Sequence, residues 1–209
     1  VGLKKVGMPK PQWFRGRWAA LAAVCAARSW NDVCFADDTR WRYDDSGGNW
    51  AEIHYAAAGR AILIGHDHEL SQTYYAESAE YFGEPETDLL AGAPGWWSPV
   101  VEVVRARGDW IGFVYGFDNG WQRAAYDLED GRFLMGIPGM RGDSAVRKHI
   151  AEFAKDAPGL KDEPSKEAIY TLIQSDANIT EEQLTAVIGT SEWDVAAGVT
   201  AARKFLAAG

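Results

Sequence analysis

The sequence predicts an α+β fold, with an antiparallel sheet of about six strands built from two three-stranded meanders, helices packed on it and a C-terminal helical segment. Three observations predict it. Two blocks of short aromatic and β-branched runs, residues 39–66 and 109–136, are divided internally by turn residues. Each block follows a stretch with helical spacing, and beyond residue 160 the pattern stays helical.

Composition supports a packed body. Of the 209 residues, 47% are hydrophobic and 24% charged, which provides a sizeable core. The net charge of -9 argues against nucleic acid and against an anionic membrane surface, because each phosphate contact must be met by a cation. A basic protein partner suits that charge better. No run approaches the roughly 18 apolar residues of a membrane span, and the alanine-rich stretch 19–27 is barely apolar enough for a signal-peptide core. Cys25 and Cys34 make neither a disulfide framework nor a zinc knuckle, and read as reduced thiols of a cytoplasmic protein. The chain opens on Val1, which fits a non-AUG start, a trimmed terminus or initiation at Met8.

Residues 1–14 carry Gly, Lys and Pro without periodicity and read as a flexible tail. From 15 to 30, Trp18, Leu21, Ala22 and Cys25 recur at helical spacing, predicting an amphipathic helix with its apolar face on the sheet. Residues 39–43 alternate Trp and Tyr with Arg, Asp44-Asp45-Ser46-Gly47-Gly48 supplies a turn, and 50–55 and 60–65 complete the first meander. Helical spacing returns at 71–82 through Tyr74, Tyr75, Ala79 and Phe82, and 83–97 is irregular, broken by Pro85, Gly92, Pro94 and Gly95. Ser98 as N-cap with Pro99 at the first position opens a helix to about residue 107.

The second meander reads as 110–117, a turn at Asp118-Asn119-Gly120, 121–128, a turn at Glu129-Asp130-Gly131, and 132–136. Asp143 or Ser144 caps a helix to residue 155 with Val146, Ile150 and Phe153 inward; Arg141-Gly142-Asp143 is then a turn and a cap. Pro164 opens a helix with the stripe Ile169, Leu172 and Ile173. Thr180 and Gln183 form a capping box for the next, and Ser191 caps a last one. The charged linker 161–164 divides an α+β body, 15–160, from a helical region, 161–209. Within that region four Lys/Arg face eight Asp/Glu, which opposes a DNA-binding role for its helices.

The meanders resemble one another. Trp50, Tyr55, Gly59-Arg60 and Gly65 recur as Trp121, Tyr126, Gly131-Arg132 and Gly136, as an internal repeat would place them. The competing reading is that short hairpins share Trp, Tyr and Gly.

Three stretches carry candidate chemistry. His66 and His68 stand two apart at a strand end, so both imidazoles project to one side; with Asp67, Glu69 and His54 they are candidate ligands for a divalent metal such as zinc. The alternative is a strand-to-helix loop whose Asp67 or Ser71 caps the next helix. Residues 83–97 combine Leu89, Leu90, Trp96 and Trp97 with Glu84, Glu86 and Asp88, the composition of an acidic surface with aromatic anchors for a basic protein. Its alternative is a loop folded over the sheet as a lid on the core. Ser71 and Ser98 lack a nucleophile-elbow setting and the cysteines lack a basic neighbourhood, so no catalytic residue is assigned. The leading expectation is a non-enzymatic intracellular protein that binds, regulates or neutralises another protein, without a cofactor; the alternative is a metal-dependent hydrolase or metal-binding protein centred on His66 and His68.

Overall fold

The computed structural model describes residues 2–132, 137–158, 160, 162–189 and 192–207. Among them are seven strands, β1 (Lys4–Val6), β2 (Cys34–Ala36), β3 (Arg40–Asp44), β4 (Trp50–Ala56), β5 (Arg60–His66), β6 (Phe113–Phe117) and β7 (Trp121–Arg123). They form an antiparallel sheet in the order β1-β7-β6-β5-β4-β3-β2. The seven α-helices are α1 (Pro11–Ala27), α2 (Glu77–Phe82), α3 (Ser98–Ala106), α4 (Asp143–Ala154), α5 (Lys166–Gln174), α6 (Glu181–Ile188) and α7 (Val195–Ala207). The α+β class with an antiparallel sheet and C-terminal helices is therefore present. Among the described residues no helix is long and apolar enough to cross a membrane.

The chain divides into two compact units, one of Val1–Pro11 and Asp45–Ile137, the other of Gln12–Asp44 and Pro138–Gly209. The C-terminal helices thus share a unit with α1, β2 and β3. This partition departs from the linker at 161–164 that charge suggested.

In the first unit β4 and β5 pair from Trp50↔His66 to Ala56↔Arg60, and β5 pairs β6 from Ala61↔Phe117 to Gly65↔Phe113. The two predicted meanders therefore meet along β5 and β6. Alternation sends Ile62, Ile64 and Val114 to one face, where they join Trp50, Leu89, Trp97, Val101, Val104 and Ile111 in one core cluster. Ile53, Leu63, Phe113 and Tyr115, of opposite parity, are buried too, which explains the near-continuous apolar run of β5. Gly116 sits where a Cβ would lie 2.2 Å from Trp97 ring carbons, so the missing side chain makes the slot for the indole.

Three expectations change here. Residues 4–6, read as tail, form β1 and pair with β7 from Lys4↔Arg123 to Val6↔Trp121, while the Trp121 indole donates to the Pro9 carbonyl at 2.6 Å. The strand expected over 121–128 ends at Arg123, because the chain then turns to bring the Tyr126 hydroxyl to Asp130 Oδ2 at 2.9 Å. The helix expected over 71–82 is confined to α2, since the preceding residues are held by other bonds: the Gln72 amide donates to the Glu129 carbonyl and the Thr73 hydroxyl to the Gly112 carbonyl. Of the third strand of the second meander, residues 133–136 lie outside the described residues.

The second unit is built on α1. Gln12 is exposed and Trp13 and Arg15 are half-buried in the first turns, but every residue from Gly16 to Ala27 is buried, so this part of the helix has no solvent face to set against a single apolar stripe. Its small residues let neighbours approach from several sides: Gly16 lies against the Ile173 carbonyl of α5, and Gly198 of α7 against the Ala23 carbonyl. Trp18 donates its indole N–H to the Pro138 carbonyl at 2.8 Å and stacks near Trp41, which meets Phe205 at 5.3 Å. Each such ring removes roughly 150–250 Å² from water. The amphipathic expectation for this segment is replaced by a helix buried on all sides from Gly16 onward.

Local signals fared well in this unit. The Thr180–Gln183 capping box forms in both directions, and Ile169, Leu172 and Ile173 are buried. Ser191 lies outside the described residues, and Asp194 accepts from the Ala197 amide at 2.8 Å in the first turn of α7. On α4 the N-cap is Gly142, and Ala154 takes the inward place expected of Phe153, which instead stacks on His149 and Trp30.

Candidate functional site

His66 closes β5 opposite Trp50, and after Asp67 residues 68–70 form a turn. Asp67 is buried, its Oδ1 accepting from the amides of Glu69 at 3.0 Å and Leu70 at 2.7 Å. These bonds close the turn itself; neither Asp67 nor Ser71 caps the next helix, since α2 starts at Glu77 after Ala76 with no side-chain cap. Gly131, with a positive φ of 76°, brings backbone so close that a Cβ there would lie 2.2 Å from Asp67 Cβ. Asn49 holds the turn from the other side: its Oδ1 accepts from the His68 amide at 2.8 Å, and its Nδ2 donates to Glu69 Oε2 at 3.2 Å.

The expected ligands do not converge as a set. Among the described residues no group of three or more His, Cys, Asp or Glu side chains is arranged to hold a metal ion. His54 pairs with Ile62, four ladder positions from the Trp50↔His66 pair, and its Nε2 lies 2.7 Å from Glu52 Oε2. Glu52 is fully buried, and its second oxygen accepts from Arg107 at 2.8 Å. His54 therefore belongs to a buried ion-pair network rather than to the His66 turn.

The candidate residues of 83–97 separate into three groups. Leu89 and Trp97 are core residues, because the Gly116 slot takes the indole; neither presents itself to a partner. Leu90 and Trp96 are half-buried against that core, and Arg60 lies 5.1 Å from the Trp96 ring. Glu84, Glu86 and Asp88 are exposed, with Glu86 accepting from the Ala76 amide and Asp88 from the Leu90 amide. The loop is pinned over the sheet, as a lid on the core would be, and its acidic side faces water.

Tyr81, Phe82 and Trp110, none of them a candidate site residue from the sequence, form a further aromatic cluster. Tyr81 is 72% exposed and Phe82 47%, and their rings lie 5.1 Å and 4.9 Å from Trp110. Tyr74 meets Phe82 at 5.5 Å, and His66 meets Trp110 at 6.3 Å. α2 ends at Gly83 in the left-handed conformation, which terminates the helix just after both aromatics. The same segment lines an open groove of about 440 Å³ with Glu77, Glu80, Glu84 and Glu86, against which Arg105 is the only cation among the lining residues. Arg105 is bound to Glu77 and Glu102. α2 thus carries exposed aromatics and, through Glu77 and Glu80, part of an acidic groove, offering both apolar and electrostatic purchase on a partner. The chain matches no family model, no curated protein and no solved structure.

The base of the cluster is pH-sensitive. Burial, with nearby His68 adding to it, pushes the His66 imidazole down from 6.5 to about 4. Its folded pKa lies below its unfolded one, so the contribution is whole above pH 6.5 and is lost as pH falls toward 4, by up to about 3 kcal/mol. Asp67 acts in the opposite sense, because burial raises its carboxyl despite the two amides. Urea melts of the wild type and His66→Gln should therefore diverge, the wild type losing more stability between pH 7 and 4.5. Parallel losses would contradict the assignment to His66.

Proposed function

We propose that this is a non-enzymatic protein-binding protein of the cytoplasm, acting to regulate or neutralise a basic partner. The contact is made by Tyr81, Phe82 and Trp110 together with Glu80, Glu84 and Glu86. The observation that carries the reading is the exposure of Tyr81 and Phe82, packed against Trp110 on a helix whose Glu77 and Glu80 line an acidic groove. Stacked aromatics are already ordered, so little side-chain entropy is lost on binding, and such residues are typical hot spots worth about 2 kcal/mol or more each. The surrounding carboxylates steer a cationic surface and select against an acidic one. The recurrence of 39–66 in 109–136 enters the same proposal as a duplicated scaffold, on which only the first copy carries the His66–Glu69 turn.

The test compares proteins captured by wild type, by Tyr81→Ser/Phe82→Ser and by Glu80→Lys/Glu84→Lys. Basic polypeptides retained by the wild type, released by salt and lost to both variants are expected; an unchanged captured set, or a predominantly acidic one, would remove the proposal. The second reading, a divalent metal such as zinc at His66 and His68, is favoured by the buried His66 Nδ1, which has no hydrogen-bond partner among the described residues. A rise in melting temperature with zinc, manganese or nickel that disappears in His66→Gln/His68→Gln would put that reading first.

A further inference from the structure

We propose that the groove between α4 and α5 is a binding site for a small molecule that carries a phosphate group. The groove has a volume of about 300 Å³, at the lower end of what small-ligand sites occupy. It lies wholly within the second unit and shares no residue with the protein-binding proposal. Its charge runs against that of the chain. Overall, 30 acidic residues outnumber 21 basic ones, yet here Arg147, Lys148, Lys155 and Lys166 face only Glu152 and Glu163.

Helical geometry explains the convergence. Val146, Ile150 and Ala154 form the buried stripe of α4, and beside it stand the adjacent Arg147 and Lys148, with Lys155 two turns beyond Lys148. Lys166, the first residue of α5, faces them from the opposite wall. Lys155 is bound to Glu152, an exposed pair that largely cancels itself. Arg147, Lys148 and Lys166 make no ion pair with any described residue, and with Glu163 they leave two positive charges in the groove.

That surplus matches a phosphate monoester, which carries close to two negative charges at neutral pH and offers three strong acceptor oxygens. The guanidinium of Arg147 supplies a planar double donor, the two ammonium groups supply point charges, and the Ser144 hydroxyl at the rim supplies a neutral donor. Ile169 and Pro164 give the groove an apolar floor for the organic part. The volume suits a small organic phosphate; a polypeptide would lie across the groove rather than in it.

The whole chain is titrated with phenyl phosphate, inorganic phosphate, succinate and a glutamate-rich peptide at about 20 mM salt, where screening is weak, by calorimetry and by NMR shift mapping. Saturable binding of phenyl phosphate is expected, tighter than inorganic phosphate, with shifts confined to α4 and α5. Arg147→Gln and Lys166→Gln are each expected to weaken it by about tenfold or more, and Lys10→Gln to leave it unchanged. If either groove variant fails to fold, Lys148→Gln, at an exposed position, takes its place with the same expectation. Absence of saturable phenyl phosphate binding overturns the proposal, as does indifference to the groove substitutions. Tighter binding of succinate or of the peptide than of phenyl phosphate also overturns it.

Discussion

Glu52→Ala lowers the free energy of unfolding by about 3 kcal/mol, the larger part of which is the cost of stranding its partners. Glu52 is fully buried on β4, and its two oxygens meet the Arg107 guanidinium at 2.8 Å and the His54 imidazole at 2.7 Å. Removing the carboxylate leaves the Arg107 cation without its buried counter-charge and the His54 imidazole without its hydrogen-bond partner. Arg107 is partly exposed and also reaches Asp109 at 2.9 Å, which softens the loss and sets the figure at the lower end of the range for broken buried pairs. Glu52→Gln keeps the shape and one acceptor, and is expected to cost about half as much. Urea unfolding of the three proteins at pH 7 decides it. An alanine variant within 1 kcal/mol of wild type, as a surface ion pair would give, would mean that the network contributes nothing to folding.

The second large effect is at Trp97. Trp97→Ala should cost about 3–5 kcal/mol, the usual penalty for emptying a large aromatic site, because the indole fills the Gly116 slot against Val101 and Val104. Gly116→Ala attacks the same contact from the other side, since its methyl would lie 2.2 Å from ring carbons that cannot retreat into a packed core. The two changes should be strongly coupled: adding Gly116→Ala to Trp97→Ala should cost much less than adding it to the wild type. Additive costs in a double-mutant cycle would contradict the slot.

What could be read from sequence was what is decided within a few residues. Asn119-Gly120 marked the β6–β7 turn because Asn119 must adopt a φ of 57°, and Thr180 with Gln183 marked a helix start because both bonds of the box are local. β1 was missed because three residues in a Gly- and Lys-rich stretch carry no period; they are a strand only through pairing with β7, more than a hundred residues away. α1 was misjudged in kind, since alanines count weakly as apolar yet are what lets backbone approach from several sides. At the site, Leu89 and Trp97 had the composition of an interface, and only the gap at Gly116 tells that they point inward. Conversely Phe82 read as part of a helix face and Tyr81 carried no signal, while their exposure depends on where α2 ends and on Trp110, nearly thirty positions later. Exposure of an aromatic is a tertiary fact, and no spacing rule contains it.

The most direct test of the protein-binding account places a photo-crosslinking phenylalanine analogue at Tyr81 and, as a control, at Tyr170, which is also exposed but lies on α5 of the other unit. Irradiation in the producing cell should yield a discrete adduct with a basic polypeptide from position 81 and none from position 170. No adduct from position 81, or the same adducts from both positions, would contradict the account.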